Sequence, residues 1–134
     1  MSLPADILAW TERFSAAVRG REQQAARTLF ADDVRGFGTV ARAVDGLPSL
    51  ARDQWSVVWP MTRDFSFEAE SLGHQLSDDG RTAIVTGLWS SRRLSDNLRR
   101  DGRATLVLTK DAAGNWLATH THFSLTPSDG GALA

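Results

Sequence analysis

The chain has 134 residues, the length of one domain, and at that size folding takes roughly two-thirds of the unfolded surface out of water around a single core. Hydrophobic residues make up 42% and charged residues 23%, which excludes collagenous, coiled-coil and largely disordered chains; fifteen basic against sixteen acidic side chains leave a formal charge of −1, with no field to draw in nucleic acid or anionic lipid. Without cysteine or tyrosine, disulfides, thiol nucleophiles and phenolic proton donors are ruled out; apolar runs fall far short of the roughly 20 residues of a spanning helix, and a start without a signal-type apolar core makes a cytoplasmic location the expectation.

Ser2, Pro4 and Asp6 supply helix-start signals, and Ile7, Trp10, Phe14 and Val18 follow at spacings of three to four, so the pattern predicts an amphipathic helix ending at Gly20. A second helix is predicted over Glu22 to Phe30, broken by Asp32 and Asp33 before a short edge strand, Val34 to Thr39. Gly46-Leu47-Pro48 opens a third, with Leu50, Ala51, Gln54, Trp55, Val58 and Trp59 on one face until Pro60 stops it. Beyond Pro60 the period changes to two. Strands are expected at Asp64 to Leu76, Thr82 to Arg93, Gly102 to Lys110 and Asn115 to Leu125, separated by Asp/Gly turns. Helices ahead of strands argue for an α+β fold with an antiparallel sheet, because parallel strands would need crossovers. One domain over 1–127 is expected, with 128–134 a flexible tail.

Three strings carry a family likeness: Leu29-Phe30-Ala31-Asp32-Asp33-Val34, Asp45-Gly46, and Gly114-Asn115-Trp116-Leu117-Ala118-Thr119-His120-Thr121-His122-Phe123-Ser124. With the element order, they resemble the SnoaL-like branch of the nuclear transport factor 2-like superfamily, which includes ketosteroid isomerase. The resemblance covers about Ile7 to Pro127. It implies a cystatin-like α+β cone, in which three N-terminal helices pack on a strongly curved antiparallel sheet around an internal apolar pocket, in a homodimer built through the sheet. It does not imply one activity, since the fold hosts isomerases, cyclases, dehydratases and binding or assembly modules. The isomerase's carboxylate base aligns with Gly38, its tyrosine donor has no counterpart, and the acid that SnoaL-type cyclases carry on a late strand is missing from Asn115 to Pro127.

Among the residues themselves, Asp32 and Asp33 read as turn formers, and Glu68 and Glu70 as the solvated face of a strand whose other face carries Phe65 and Phe67. His120 and His122 lie two apart on a strand and share a face. If Lys110 lies opposite Asn115, Thr105 faces His120 and Arg103 faces His122, so that Arg103, Thr105, His120, His122 and Ser124 form one polar strip, taken as the floor of the pocket. Three uses of the strip are open: satisfied structural histidines, acid-base catalysis near the imidazole pKa of about 6.5, and a metal site, which lacks a third ligand. Neither a metal nor a cofactor is expected. Trp55 and Trp59, one helical turn apart, and Trp89 are candidates for aromatic walls, with Trp116 on the histidine face. Arg92, Arg93, Arg99, Arg100 and Arg103 cluster at one connection and read as a solvated hairpin rather than a nucleic-acid grip.

The sequence thus predicts a homodimeric cone that binds an apolar small molecule with a polar or anionic end and engages neither nucleic acid nor membrane. Trp55, Trp59, Trp89, Arg103, Thr105, Trp116 and Ser124 would contact the ligand, and His120 and His122 would be the catalytic groups if there is turnover. The alternatives are a histidine-dependent isomerase, cyclase or dehydratase, and an assembly module similar to the kinase association domain.

Overall fold

The computed structural model describes residues 3–127. The Ser2 cap and the 128–134 tail therefore lie outside the described residues. The first helix, α1 (Ala5–Gly20), follows Pro4 and buries Ile7, Trp10, Phe14, Ala17 and Val18, the predicted stripe. It ends on Arg21 in the left-handed conformation (φ 55°), whose guanidinium donates to the Trp59 and Thr62 carbonyls at 3.0 Å each. Arg19 donates to the Phe65 carbonyl at 2.9 Å, so two arginines from the end of α1 satisfy backbone acceptors at the third helix and the first strand after it.

The second helix is shorter than its pattern suggested. α2 (Gln23–Arg27) stops before Phe30, which opens strand β1 (Phe30–Phe37), and Asp32 and Asp33 are strand residues at a bulge rather than helix breakers. Strand pairing overrides the weak helical propensity of this segment, because Phe30 is worth more buried in the core, 4% exposed, than on an isolated turn. A two-residue strand, β2 (Val44–Asp45), pairs with β1 and has no signal in the sequence beyond the adjacent Gly46.

The third helical run, α3 (47–61), begins with Leu47–Leu50, passes through a π-helical turn at Ala51–Trp55, continues over Ser56–Val58, and tightens to a 3-10 turn at Trp59–Met61. The π turn matters for the site. Its extra residue per turn sets Gln54 and Trp55 both inward, and such bulges recur at functional positions.

The predicted strand from Asp64 to Leu76 is interrupted. β3 (Thr62–Phe67) and β4 (Gly73–Leu76) are separated by a 3-10 turn at Ala69–Ser71, and both pair with different parts of β5 (Thr82–Arg93). β6 (Arg99–Lys110) and β7 (Trp116–Leu125) match expectation within three residues. The sheet has seven strands in the order β2-β1-β7-β6-β5-β3, with β4 also on β5. It is mixed rather than wholly antiparallel: β1 runs parallel to β7, the crossover being the whole of the intervening chain.

The sheet is curved and unclosed, and α1 and α3 cover its concave face. That face presents Ala83, Val85, Trp89, Ala104, Leu106, Leu108, Trp116 and Ala118, all under 9% exposed. Gly102 lies on the same face, and a Cβ there would overlap the Trp89 ring and the Ser124 carbonyl. The missing side chain makes room for the tryptophan ring on the sheet opposite it. No helix among the described residues is long and apolar enough to cross a membrane.

Candidate functional site

Aromatic rings dominate the space between α1, α3 and the sheet. Trp55 and Trp59 stack at 4.8 Å with their planes 20° apart, Phe14 lies edge-on to Trp59 and Phe65, and Phe123 sits between Phe65 and Trp89 at 6.3 and 6.2 Å. These rings do not fill the cone completely. They leave a cavity of about 50 Å³, lined by Phe14, Phe30, Trp55, Trp59, Trp89 and Phe123 among others, with Gln54, Thr39, Ser91, Thr121 and Arg100 as its polar groups. Past Val58, Thr62 and Arg100 an open groove of about 480 Å³ continues outward between Val40, Val57, Met61 and Leu94.

Arg100 is half-buried at this mouth. Its guanidinium lies over the Trp89 ring at 5.5 Å and donates to Ser91 Oγ at 3.2 Å and Thr39 Oγ1 at 3.4 Å. Of the hairpin's other arginines, Arg93 bonds Asp96 at 2.6 Å and Arg99 bonds Asp101 at 2.7 Å, while Arg92 donates to the Asn97 carbonyl and Arg103 to Ser124 Oγ on the outer face. Arg100 has no carboxylate within ion-pair distance among the described residues. Burial, and after it the charge of Arg93, pull its pKa below the ordinary guanidinium value. At neutral pH it still carries its charge.

Gln54 closes the other side of the mouth. Its Oε1 accepts from the Val40 and Ala41 amides at 2.9 and 2.8 Å, and its Nε2 donates to Thr39 Oγ1 at 2.8 Å. The segment after β1 is thereby tied to the π turn of α3. Gly38 leaves room for the amide, since a Cβ there would overlap Gln54 Oε1.

The expected walls, Trp55, Trp59 and Trp89, all line the cavity. The expected polar floor does not. Lys110 pairs with Trp116 rather than Asn115, and Thr119 is left unpaired between Ala118 and His120, so Thr105 lies opposite His122 and Arg103 opposite Ser124. The unpaired residue reverses the alternation: Trp116 and Ala118 point inward before it, Thr121 and Phe123 after it. Arg103, Thr105, His120, His122 and Ser124 do share one face, but it is the outer face of the sheet. There Arg103 Nε donates to Ser124 Oγ at 3.3 Å, and Phe37 lies against the His120 and His122 rings at 6.3 and 5.1 Å. Trp116 is buried elsewhere, at a second pocket that Trp10 and Asp6 also line, with Lys110 Nζ over its ring at 5.0 Å. Its Nε1 has no hydrogen-bond partner among the described residues.

Sequence reasoning thus missed Arg100, Gln54, Thr39, Ser91 and Thr121 as lining residues. For Arg100 the signal was present. Counting back in twos from Leu108 through Leu106, Ala104 and Gly102 lands on it, and it pairs with inward Ser91. Of the described residues that line the cavity, none is a carboxylate or an imidazole. No group of three or more histidines and acids that could hold a metal occurs among the described residues.

Comparisons with known proteins agree with the architecture. Of solved structures, a nuclear transport factor 2-like protein of unknown function from Pseudomonas putida is 25% identical, with a TM-score of 0.77 over 95% of this chain and 88% of that one. A ketosteroid isomerase-like protein from Erwinia carotovora is 18% identical, with a TM-score of 0.75 over 92% and 96%. A Xanthomonas campestris protein, provisionally named a calcium/calmodulin dependent protein kinase II association domain, is 20% identical, with a TM-score of 0.79 over 96% and 94%. Other solved structures with this architecture are described as having a cystatin-like fold. Among curated proteins, none matches the chain. The model of the SnoaL-like domain matches residues 7–128, and the chain belongs to that family, within the nuclear transport factor 2-like superfamily.

Proposed function

We propose that the protein binds an apolar small molecule with a polar or anionic end, the apolar part between the tryptophans and the polar end at the mouth. One observation carries this reading: a half-buried guanidinium without a carboxylate partner among the described residues stands at the entrance of an aromatic cavity. Leaving such a charge partly desolvated costs free energy that an incoming anion offsets, and this is the arrangement expected of a binding site rather than of a sealed core. Binding is preferred over turnover because the described lining holds no group that exchanges a proton near neutral pH.

Native mass spectrometry of freshly purified protein tests the reading, together with thermal shift against a panel of small apolar acids, amides and hydrocarbons. A co-purifying guest, or a shift that grows with ligand concentration, is the expected result. No guest and no shift with any probe would refute it.

A second reading, an assembly module, is favoured by the outer sheet face. Phe37, Ile84 and Leu88 are each more than 40% exposed there, among threonine, valine and histidine and beside the Arg103–Ser124 pair. Homodimerisation through this face is part of the proposal, and light scattering across a concentration series checks it. A cytoplasmic location belongs to the same reading and is supported by the lack of cysteine.

A further inference from the structure

The size and charge of the cavity narrow the ligand class, an inference that rests on the binding reading above. At about 50 Å³ the aromatic part of the cavity is much smaller than a steroid or polyketide needs. With about 10–15 Å³ for each water-sized site, it takes about three to five non-hydrogen atoms. Its walls are flat rings, Trp55 stacked on Trp59 and Trp89 beside Phe123, which suit a short branched or unsaturated carbon chain.

The charge available is single. Arg93 is engaged by Asp96 and Arg99 by Asp101, which leaves Arg100 alone to meet an anion from the cavity side. One planar guanidinium matches one planar carboxylate in a two-point contact, whereas a phosphate dianion would need a second cation. Ser91 and Thr39 now accept from Arg100 through long bonds, and their own hydroxyl hydrogens remain free to turn toward a second acceptor. We propose that the ligand is a compact monocarboxylate, its oxygens meeting Arg100, Ser91 and Thr39 at the mouth and its short apolar body lying in the aromatic slot.

The test uses the full chain with isobutyrate, crotonate, isobutyramide, octanoate and toluene as probes, followed by isothermal titration and ligand-observed NMR. The two short acids should bind, isobutyramide should bind at least about tenfold more weakly, and Arg100→Gln should lower affinity for the acids about 10- to 100-fold, the worth of a charge-assisted hydrogen-bonded contact. Arg100→Lys should recover part of that loss. The acid and amide comparison needs no variant, so it decides even if Arg100→Gln folds poorly. Equal binding of isobutyrate and isobutyramide, or acid binding indifferent to Arg100→Gln, would overturn the carboxylate class while leaving the cavity reading intact. Binding of octanoate alone would place the ligand body in the outer groove and overturn the compact size. Silence from every probe, toluene included, would overturn both.

Discussion

Replacing Gln54 by alanine removes the side chain whose hydrogen bonds tie the segment after β1 to α3. Two backbone amides lose their acceptor, Val40 N–H at 2.9 Å and Ala41 N–H at 2.8 Å, and Thr39 Oγ1 loses a donor at 2.8 Å. The two amides are not equivalent. Val40 is 55% exposed and its N–H can turn to water, which limits its share to about 0.5–1.5 kcal/mol. Ala41 is 5% exposed, and an unsatisfied buried N–H costs about 1–3 kcal/mol. Together they predict a loss of about 1.5–4.5 kcal/mol, a large fraction of the usual stability of a domain, and a fall in Tm of roughly 5–16 °C. Urea unfolding measures the total, and hydrogen exchange at Val40 and Ala41, compared with amides in the middle of β6, assigns it to this segment. Gln54→Glu keeps the acceptor and should retain most of the stability. A Gln54→Ala protein within about 0.5 kcal/mol of wild type, with both amides still protected, would show that the segment is held by something other than Gln54.

Three further outcomes follow from the geometry. Gly102→Ala drives a methyl into the buried Trp89 ring of β5 and the Ser124 backbone carbonyl of β7, both held by pairing with β6; a loss above about 3 kcal/mol by urea unfolding is expected, and a near-neutral result would mean the tryptophan does not lie against Gly102. His120→Asn with His122→Asn should leave the affinity of any cavity ligand within about threefold, measured by titration, because both rings lie on the outer face; a tenfold loss would restore the pair to the site. The Arg93 hydrogen bond, and after it the Leu98 amide, hold the Asp96 carboxyl below the usual aspartate range. A depressed folded-state pKa gives a contribution that is present above the unfolded value of about 3.9 and lost as pH falls through the lower folded one. The carboxyl resonance of Asp96 should therefore titrate with a midpoint below about 3.9, and a midpoint at or above it would deny the Arg93 contact.

Much of this was legible in the sequence. The α1 stripe from Ile7 to Val18, the stacked Trp55 and Trp59, and the limits of β5 follow from periods of 3.6 and 2 and from Pro and Gly punctuation, which act locally. What was not legible depends on pairing between distant segments. Phe30 left a helix to become a strand because β7 was available beside it, and β3 and β4 separated because β5 accommodates them at two different places. The histidine strip was correct in membership and wrong in side, since hairpin register was counted from a turn with no allowance for an extra residue at Thr119. Arg100 was grouped with its neighbours by charge when its position in the alternation set it apart.

The unpaired Thr119 also bears on how such a protein could change its trade. Ahead of it the inward places belong to Trp116 and Ala118, and behind it to Thr121 and Phe123. Inserting one residue directly after it, with the bulge kept, would slide the rest of β7 by a single step and exchange a hydroxyl and a benzene ring for two imidazoles. A lineage could in this way swap a proton-inert cleft for one able to move protons by gaining one codon, with none of the side chains themselves mutated.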